Sequence, residues 1–370
     1  MKSETHQRWD RNSALAGACG WFVLAALAGA GRAPLGPIEL LFLFAPLVIV
    51  PLGLSLADKS APVTSNRWEQ AARRIQPFAA LLTVASFWIS PGPIAAGFAT
   101  SWAAVCLLLA GSGGVGLLRF RSLAPAQFPA NIVANIGRLD LAIAAFWLLL
   151  SRLGIHPASF QEPIVLLTAV HFHYTGFATA ILAATASDFS HRTGDNARST
   201  DRLVILIALL PFLIAAGFVF SPALKVTAVT VFSLSMVAFA LWQFALSQRI
   251  SHRTGRGFLA LSSLSVLAGM ALAFVYAAGD WLGRGWLTIP RMAGTHGWLN
   301  GIGFVLHGLL GWQIGWQIMW TQIPNRLVNA KDGETTKSIR PNLTVPAPIA
   351  FFSDYEPPHL RRAYDKNKIA

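Results

Sequence analysis

The sequence predicts an all-α, polytopic membrane bundle of about ten helices with both termini on the cytoplasmic side, and three observations predict it. Of 370 residues, 54% are hydrophobic and 12% are charged, about half the charge of an ordinary soluble domain. The apolar residues fall in unbroken runs of roughly 17 to 25 residues rather than at helical or strand spacing, as a chain solvated by hydrocarbon on all sides requires. Lys and Arg are also distributed unevenly between successive loops, in the alternating manner of a threaded chain.

Ten runs are long enough to span: 14–31, 38–56, 76–90, 95–118, 137–154, 163–186, 203–220, 223–248, 257–280 and 293–320. Lys2, Arg8 and Arg11 before the first run resemble the start of a signal peptide. The run is about long enough to cross and the next follows directly, so a retained first helix is expected. SPGP at 90–93 makes a tight turn between the third and fourth runs, and SPALK at 221–225 joins the seventh and eighth.

The N-terminus, loops 57–75, 119–138, 187–202 and 249–256, and the tail together carry 24 Lys and Arg residues. The other side carries five: Arg32, Arg152, Lys225, Arg284 and Arg291. This asymmetry places the N-terminus and the tail inside. Two units are expected, a transmembrane bundle over 1–322 and a mostly disordered cytoplasmic tail over 323–370, which is rich in proline and lacks an apolar stripe.

Several function classes are excluded. The net charge of +13 sits between apolar runs, where orientation and anionic headgroups account for it, so no nucleic-acid partner is expected; the bilayer itself is the partner. Cys19 and Cys106 lie within apolar runs and read as packing residues. Walker, GxSxG and HExxH motifs are absent, which argues against an ATPase, a serine hydrolase and a zinc protease. Trp281, Trp286 and Trp298 mark an interfacial belt at the outer ends of the last two runs, with Trp320 near an inner end. Gly111, Gly113, Gly114 and Gly116 are expected to let another helix approach the fourth closely or to relax the helix locally.

Polar residues inside the runs carry the functional expectation, because burying them in hydrocarbon is costly. The sixth run holds HFHYTGF at 171–177. His171 and Thr175 share a helical face, and His171 lies about 12 Å from the outer end at 1.5 Å per residue. His173 points to the opposite side of a regular helix, so it joins them only if the cavity is wide or the helix is distorted near Gly176. The tenth run holds THGWLNGIGFVLHG at 295–308. His296, Asn300, Gly303 and His307 recur at i, i+4, i+7 and i+11, one stripe of an α-helix, with Gln313 and Gln317 further inward.

Glu162 and Asp280 sit at run ends, with Arg291 as an ion-pair partner for either. Asp140 reads as a local partner of Arg138. His171-x-x-x-Thr175-Gly176 and His296-x-x-x-Asn300-Gly301 repeat one spacing on parallel helices, as internal repeats in transporters do.

The expected site is a cavity in the outer half of the bilayer lined by His171, His173, Thr175, Arg291, His296, Asn300 and His307. Glu162, Tyr174, Asp280 and Gln313 are secondary. No cofactor is required. Haem held between two helices or a metal ion is compatible, with His171, His173, His296 and His307 as candidate ligands. Transport of a small solute or ion is the leading expectation. The alternatives are a membrane enzyme using histidine acid–base or metal chemistry on an apolar or lipid-like substrate such as an isoprenoid, and a bis-histidine haem redox protein. Interhelical hydrogen bonding alone would also account for such residues.

HFHYTGFATAI at 171–181 and PRMAGTHGWLNGIGF at 290–304 resemble the YndJ-like family of bacterial membrane proteins. That resemblance implies a bacterial inner-membrane location. It also singles out His171, His173, Thr175, Gly176, Arg291, His296, Gly297, Asn300 and Gly303 as the positions to examine. It implies no substrate.

Overall fold

The computed structural model describes residues 2–60, 66–119, 128–194 and 198–315. The expected tail, with Gln317 and Trp320, lies outside the described residues. Within them the chain is helical without strands, and ten helices follow one another: α1 (Lys2–Gly29), α2 (Pro37–Lys59), α3 (Arg67–Ser86), α4 (Pro93–Leu118), α5 (Phe128–Leu153), α6 (Ile164–Arg192), α7 (Arg198–Phe220), α8 (Pro222–Ser247), α9 (Arg253–Trp281) and α10 (289–315). Eight of these, all but α3 and α10, are long and apolar enough to cross a membrane.

Short connections pair α3 with α4, α4 with α5, α7 with α8 and α8 with α9, as in a bundle of neighbouring helices. At the centre stand α2 and α6. Their apolar windows are 94% and 72% buried against 11% for α1, and α6 touches α2, α5, α7, α8 and α10. The peripheral α1 is held at its end by the Trp21 indole, which donates to Leu40 O at 2.8 Å.

Three central helices leave α-geometry. α2 turns π-helical over Ala45–Ile49, α6 over Phe172–Ala178, and α10 over Ala293–Gly297 and Leu299–Leu306. A π-turn bonds i to i+5 and leaves neighbouring backbone groups without their usual partners, which lipid cannot supply. Side chains supply them here. Pro46 has no N–H to give, and Leu41 O accepts instead from the Tyr174 hydroxyl at 2.8 Å. Gln76 Nε2 donates to Pro46 O (2.7 Å) and Thr179 Oγ1 to Tyr174 O (3.0 Å). On α10, Ser262 Oγ donates to Phe304 O at 2.8 Å and His307 Nδ1 to Ile302 O at 2.7 Å.

The helices run past the apolar runs at one end of the bundle, so most of the expected loop 57–75 is helical. There the Arg73 guanidinium, 2% exposed, contacts Asp10 of α1, Asp58 of α2 (2.7 Å) and Glu69 of its own helix (2.6 Å). Glu69 also lies 3.7 Å from Arg138 of α5 and accepts from Ser112 Oγ of α4 at 3.1 Å. Arg73 and Arg138, counted from sequence among the cations of two loops, are therefore members of a buried network joining five helices. Only because opposite charges and hydrogen bonds meet there is such burial tolerated.

Asp140 corrects a second expectation. Arg138 turns toward Glu69, Asn135 and Ala134 O, and neither oxygen of the buried Asp140 has a hydrogen-bond partner. Residues two apart on a helix do not face one another, so the pair never had the geometry.

Candidate functional site

Between α6 and α10, walled further by α7, α8 and α9, lies a cavity of about 340 Å³. Its walls are mainly apolar, with Phe172, Phe232, Phe304, Met236 and Met270 among them, and its polar groups cluster where the π-turns of α6 and α10 approach each other. Close approach there depends on Gly301. A Cβ at that position would sit 2.8 Å from Leu41 Cδ1 and 3.2 Å from Tyr174 Cε1, so any larger residue would displace the end of Leu41 and press on the Tyr174 ring.

His171 and His296 both line this cavity, as do Thr175, Asn300 and the ring of Tyr174. The hydrogen bonds of His296 fix its tautomer. Its Nδ1 lies 2.8 Å from Gly269 O, which can only accept, so Nδ1 carries the proton and Nε2 is left with a bare lone pair. Asn300 Nδ2 donates to His296 O at 2.8 Å and holds the turn from beneath. On α6, Thr175 Oγ1 lies 3.3 Å from His171 Nδ1, and the buried His171 Nε2 has no hydrogen-bond partner. Two imidazoles thus bring unsatisfied ring nitrogens to one apolar chamber. Such groups can accept or donate a proton, ligate a metal, or bond a polar head.

Other expected members stand elsewhere. His173 is not on the cavity: its Nδ1 donates to Ala169 O (2.8 Å) and its Nε2 accepts the Trp102 indole N–H (3.0 Å). Phe42 packs edge-on to its ring, so His173 is a satisfied core residue. The distortion near Gly176 does occur, yet it does not turn His173 into the chamber. His307 packs against Phe258 and bonds its own backbone. An eleven-residue separation makes three turns of α-helix, but the wider π-turns complete fewer, and the stripe from His296 to His307 is broken.

Arg291 is exposed on the first turn of α10. Asp280 pairs with Lys225 rather than with Arg291, and Glu162 accepts from Leu166 N–H at 3.2 Å, capping α6. Gln313 donates to Leu52 O at 3.1 Å. Trp281 and Trp286 are exposed as a belt requires, whereas Trp298 packs on Trp21 with ring centroids 5.8 Å apart. The four candidate metal-ligand histidines are consequently divided, two on the cavity and two away from it. Among the described residues no three His, Cys, Asp or Glu side chains converge as metal ligands.

Thr168, three residues before His171 and on the face it shares with Thr175, also lines the cavity, whereas sequence reasoning missed Ser233 and Tyr276, which line it too. Each lies within an apolar run, and only the packing of α8 and α9 against α6 reveals their common surface.

The profile of the YndJ-like protein family matches residues 40–304, from α2 to the π-turns of α10, and so takes in every helix around the chamber. The chain belongs to the YndJ-like family. A relative from Bacillus subtilis (strain 168), named "Uncharacterized membrane protein YndJ", is 32% identical over 182 residues. That match covers 48% of this chain and 32% of the relative, so the chain spans about a third of the length of the curated relative it matches. No solved structure matches the chain. This member of the YndJ-like family is thus a membrane protein with multiple apolar helices, and the chemistry of its chamber has to be argued from the chamber itself.

Proposed function

We propose that this chain resides in the bacterial cytoplasmic membrane with both termini inside, and that it binds and transports a small amphipathic molecule. The ligand would have an apolar body and one polar head, bound in the outer half of the bilayer. The single observation that carries this reading is the chamber's composition: a mainly apolar wall with His171 and His296 offering ring nitrogens at one place. A bare metal cation of the calcium or magnesium class needs several oxygen ligands to replace its water, and this wall offers few. An apolar body gains by burial, while a hydroxyl, carbonyl or carboxylate head finds donors and acceptors in the imidazoles, Thr175 and Asn300. Short π-helical turns where α6 and α10 meet accord with transport, since interrupted helices commonly form substrate sites in transporters.

A second reading rests on one observation, the free Nε2 of His296 backed by Gly269 O. That arrangement suits general acid–base work on the same lipid-like class of molecule. It would equally suit axial ligation by a histidine whose other nitrogen is anchored.

The test is to purify wild type, His296→Ala and Ala273→Trp in detergent and extract and weigh by mass spectrometry what co-purifies, with an absorbance spectrum of each. Ala273 lines the chamber on α9, so Trp there fills space in it while leaving both histidines in the chain. A defined amphipathic compound present in wild type and depleted from both variants supports the reading. Identical extracts from all three, or a Soret band lost in His296→Ala, would overturn it. Reconstituted vesicles then separate movement of that compound from its chemical conversion.

A further inference from the structure

Among the described residues, the bundle also holds a buried carboxyl with no partner to offset its cost. Asp140 stands twelve residues from the start of α5 and thirteen from its end, at the helix midpoint. It is fully buried, and neither carboxyl oxygen has a hydrogen-bond partner. Its side chain presses on the π-turn of α6: a Cβ on Gly176 would lie 2.7 Å from both Asp140 Cβ and Oδ2. An ionised carboxylate left so would cost several kcal/mol, and even the neutral acid leaves an O–H unpaired.

We propose that Asp140 is a proton-binding site, holding its carboxyl as the neutral acid against the α6 π-turn and exchanging that proton with water when the turn moves. The exchange is simple: the carboxylic O–H breaks, a carboxylate remains, and the proton passes to water. This deepens the transport reading and rests on it for its purpose, because a carboxyl that binds a proton in one conformation and releases it in another couples a carrier to the proton gradient.

The groups around Asp140 leave it this role. α4, α6 and α7 pack on α5. In the middle of the bundle α4 offers Cys106, and α6 offers His171, His173 and Tyr174; α7 has titratable groups only near its start, Asp201 and Arg202 among them. His173 is bonded at both nitrogens, Cys106 lies 4.0 Å from it, and Tyr174 donates to Leu41 O. On α5 itself, Arg138 is committed to Glu69 and Arg152 donates to Ser86 O and Ile89 O. Among the described residues no cation therefore neutralises Asp140, and a bound proton removes the charge that burial opposes.

The link to the chamber is direct. Gly176, which Asp140 touches, is bonded in sequence to Thr175, which faces His171 on the cavity. Ionisation at Asp140 demands hydration or a new partner, which requires the π-turn to shift. A turn that shifts register by one residue carries Thr175 with it.

Infrared spectroscopy of the full chain in lipid, with aspartate carbon-13 labelled at the side-chain carboxyl, tests the site. A label-sensitive band of a protonated carboxylic acid is expected near neutral pH, absent from Asp140→Asn and moved in Asp140→Glu. If no such band exists at any pH where the protein stays folded, or if Asp140→Asn retains it, Asp140 is not the proton site. Coupling is read by alkylating a cysteine at Thr168 with N-ethylmaleimide, in a Cys19→Ser background, with and without Asp140→Asn. The ratio of the two labelling rates cancels thiol ionisation. It should be near one at low pH and depart from one severalfold as pH rises; a flat ratio overturns the coupling. No labelling of position 168 in either protein would count against the chamber reading, while the infrared band would still decide Asp140.

Discussion

Thr175 Oγ1 sits 3.3 Å from His171 Nδ1 and leaves His171 Nε2 without a partner, whereas His173, two residues on, has both ring nitrogens bonded. The two histidines of one motif therefore have opposite roles. His173→Ala should orphan the Trp102 indole N–H and open a void beside Phe42, costing about 1–3 kcal/mol for the lost bond and more for the void. His171→Ala removes a group with one long bond and should leave thermal stability nearly unchanged. The amount of co-purifying ligand per folded molecule should behave the other way, falling on the order of tenfold in His171→Ala and holding in His173→Ala. Thermal unfolding and extraction measured on the same samples check both.

Arg73→Gln should be among the most damaging single changes in the chain. It strands Asp10, Asp58 and Glu69 in a buried site, and removing one partner of a buried ion pair costs about 3–5 kcal/mol. Adding Asp10→Asn removes one of the stranded charges and should recover part of the loss, which a double-mutant comparison of thermal midpoints would read. A recovery of zero would mean that Asp10 contributes nothing to the network.

The glycine run of α4 divides sharply by face. A Cβ at Gly113 would fall 2.7 Å from Asn135 O and 2.9 Å from Arg138 Cβ, and one at Gly116 would strike the Asn135 side chain. Gly111 and Gly114 meet nothing within 4 Å. Gly113→Val should lower the yield of folded protein and its thermal midpoint by several degrees, from overpacking of about 1–3 kcal/mol. Gly111→Ala should be neutral or stabilising by up to about 1 kcal/mol.

Orientation is tested with reporters. With the N-terminus inside, alkaline phosphatase inserted in 31–36, 154–163 or 282–288 should be active, and a fluorescent protein on the N-terminus should glow. The reversed pattern would move the chamber to the inner half of the bilayer and remove the outward-facing part of the proposal.

Much of this architecture was legible in the sequence because hydrocarbon imposes a simple rule: apolar runs of spanning length become helices. Within the described residues each of the ten expected runs falls in one helix, eight of them long and apolar enough to cross a membrane. The site was legible only in part. His171, Thr175, His296 and Asn300 were found because each pair is four residues apart, a spacing that survives the onset of a π-turn. His307 was misjudged because its distance from His296 crosses two π-segments that no residue pattern announces. Arg73 looked like a loop charge because two of its three acids, Asp10 and Asp58, come from other helices, and only Glu69 is a local i,i+4 neighbour. Asp140 carried a visible signal, an acid inside an apolar run, and proximity in sequence to Arg138 hid it.

Asp10 finds its counter-charge 63 residues downstream. During synthesis, then, α1 and α2 reach the bilayer carrying Asp10 and Asp58 before Arg73 exists to meet them. The end of the N-terminal hairpin that carries these acids is left provisional until α3 emerges. The network should thus act as a checkpoint on assembly order. A chain halted before Arg73 should be a poorly anchored hairpin open to membrane proteases, and one extended past it a committed one.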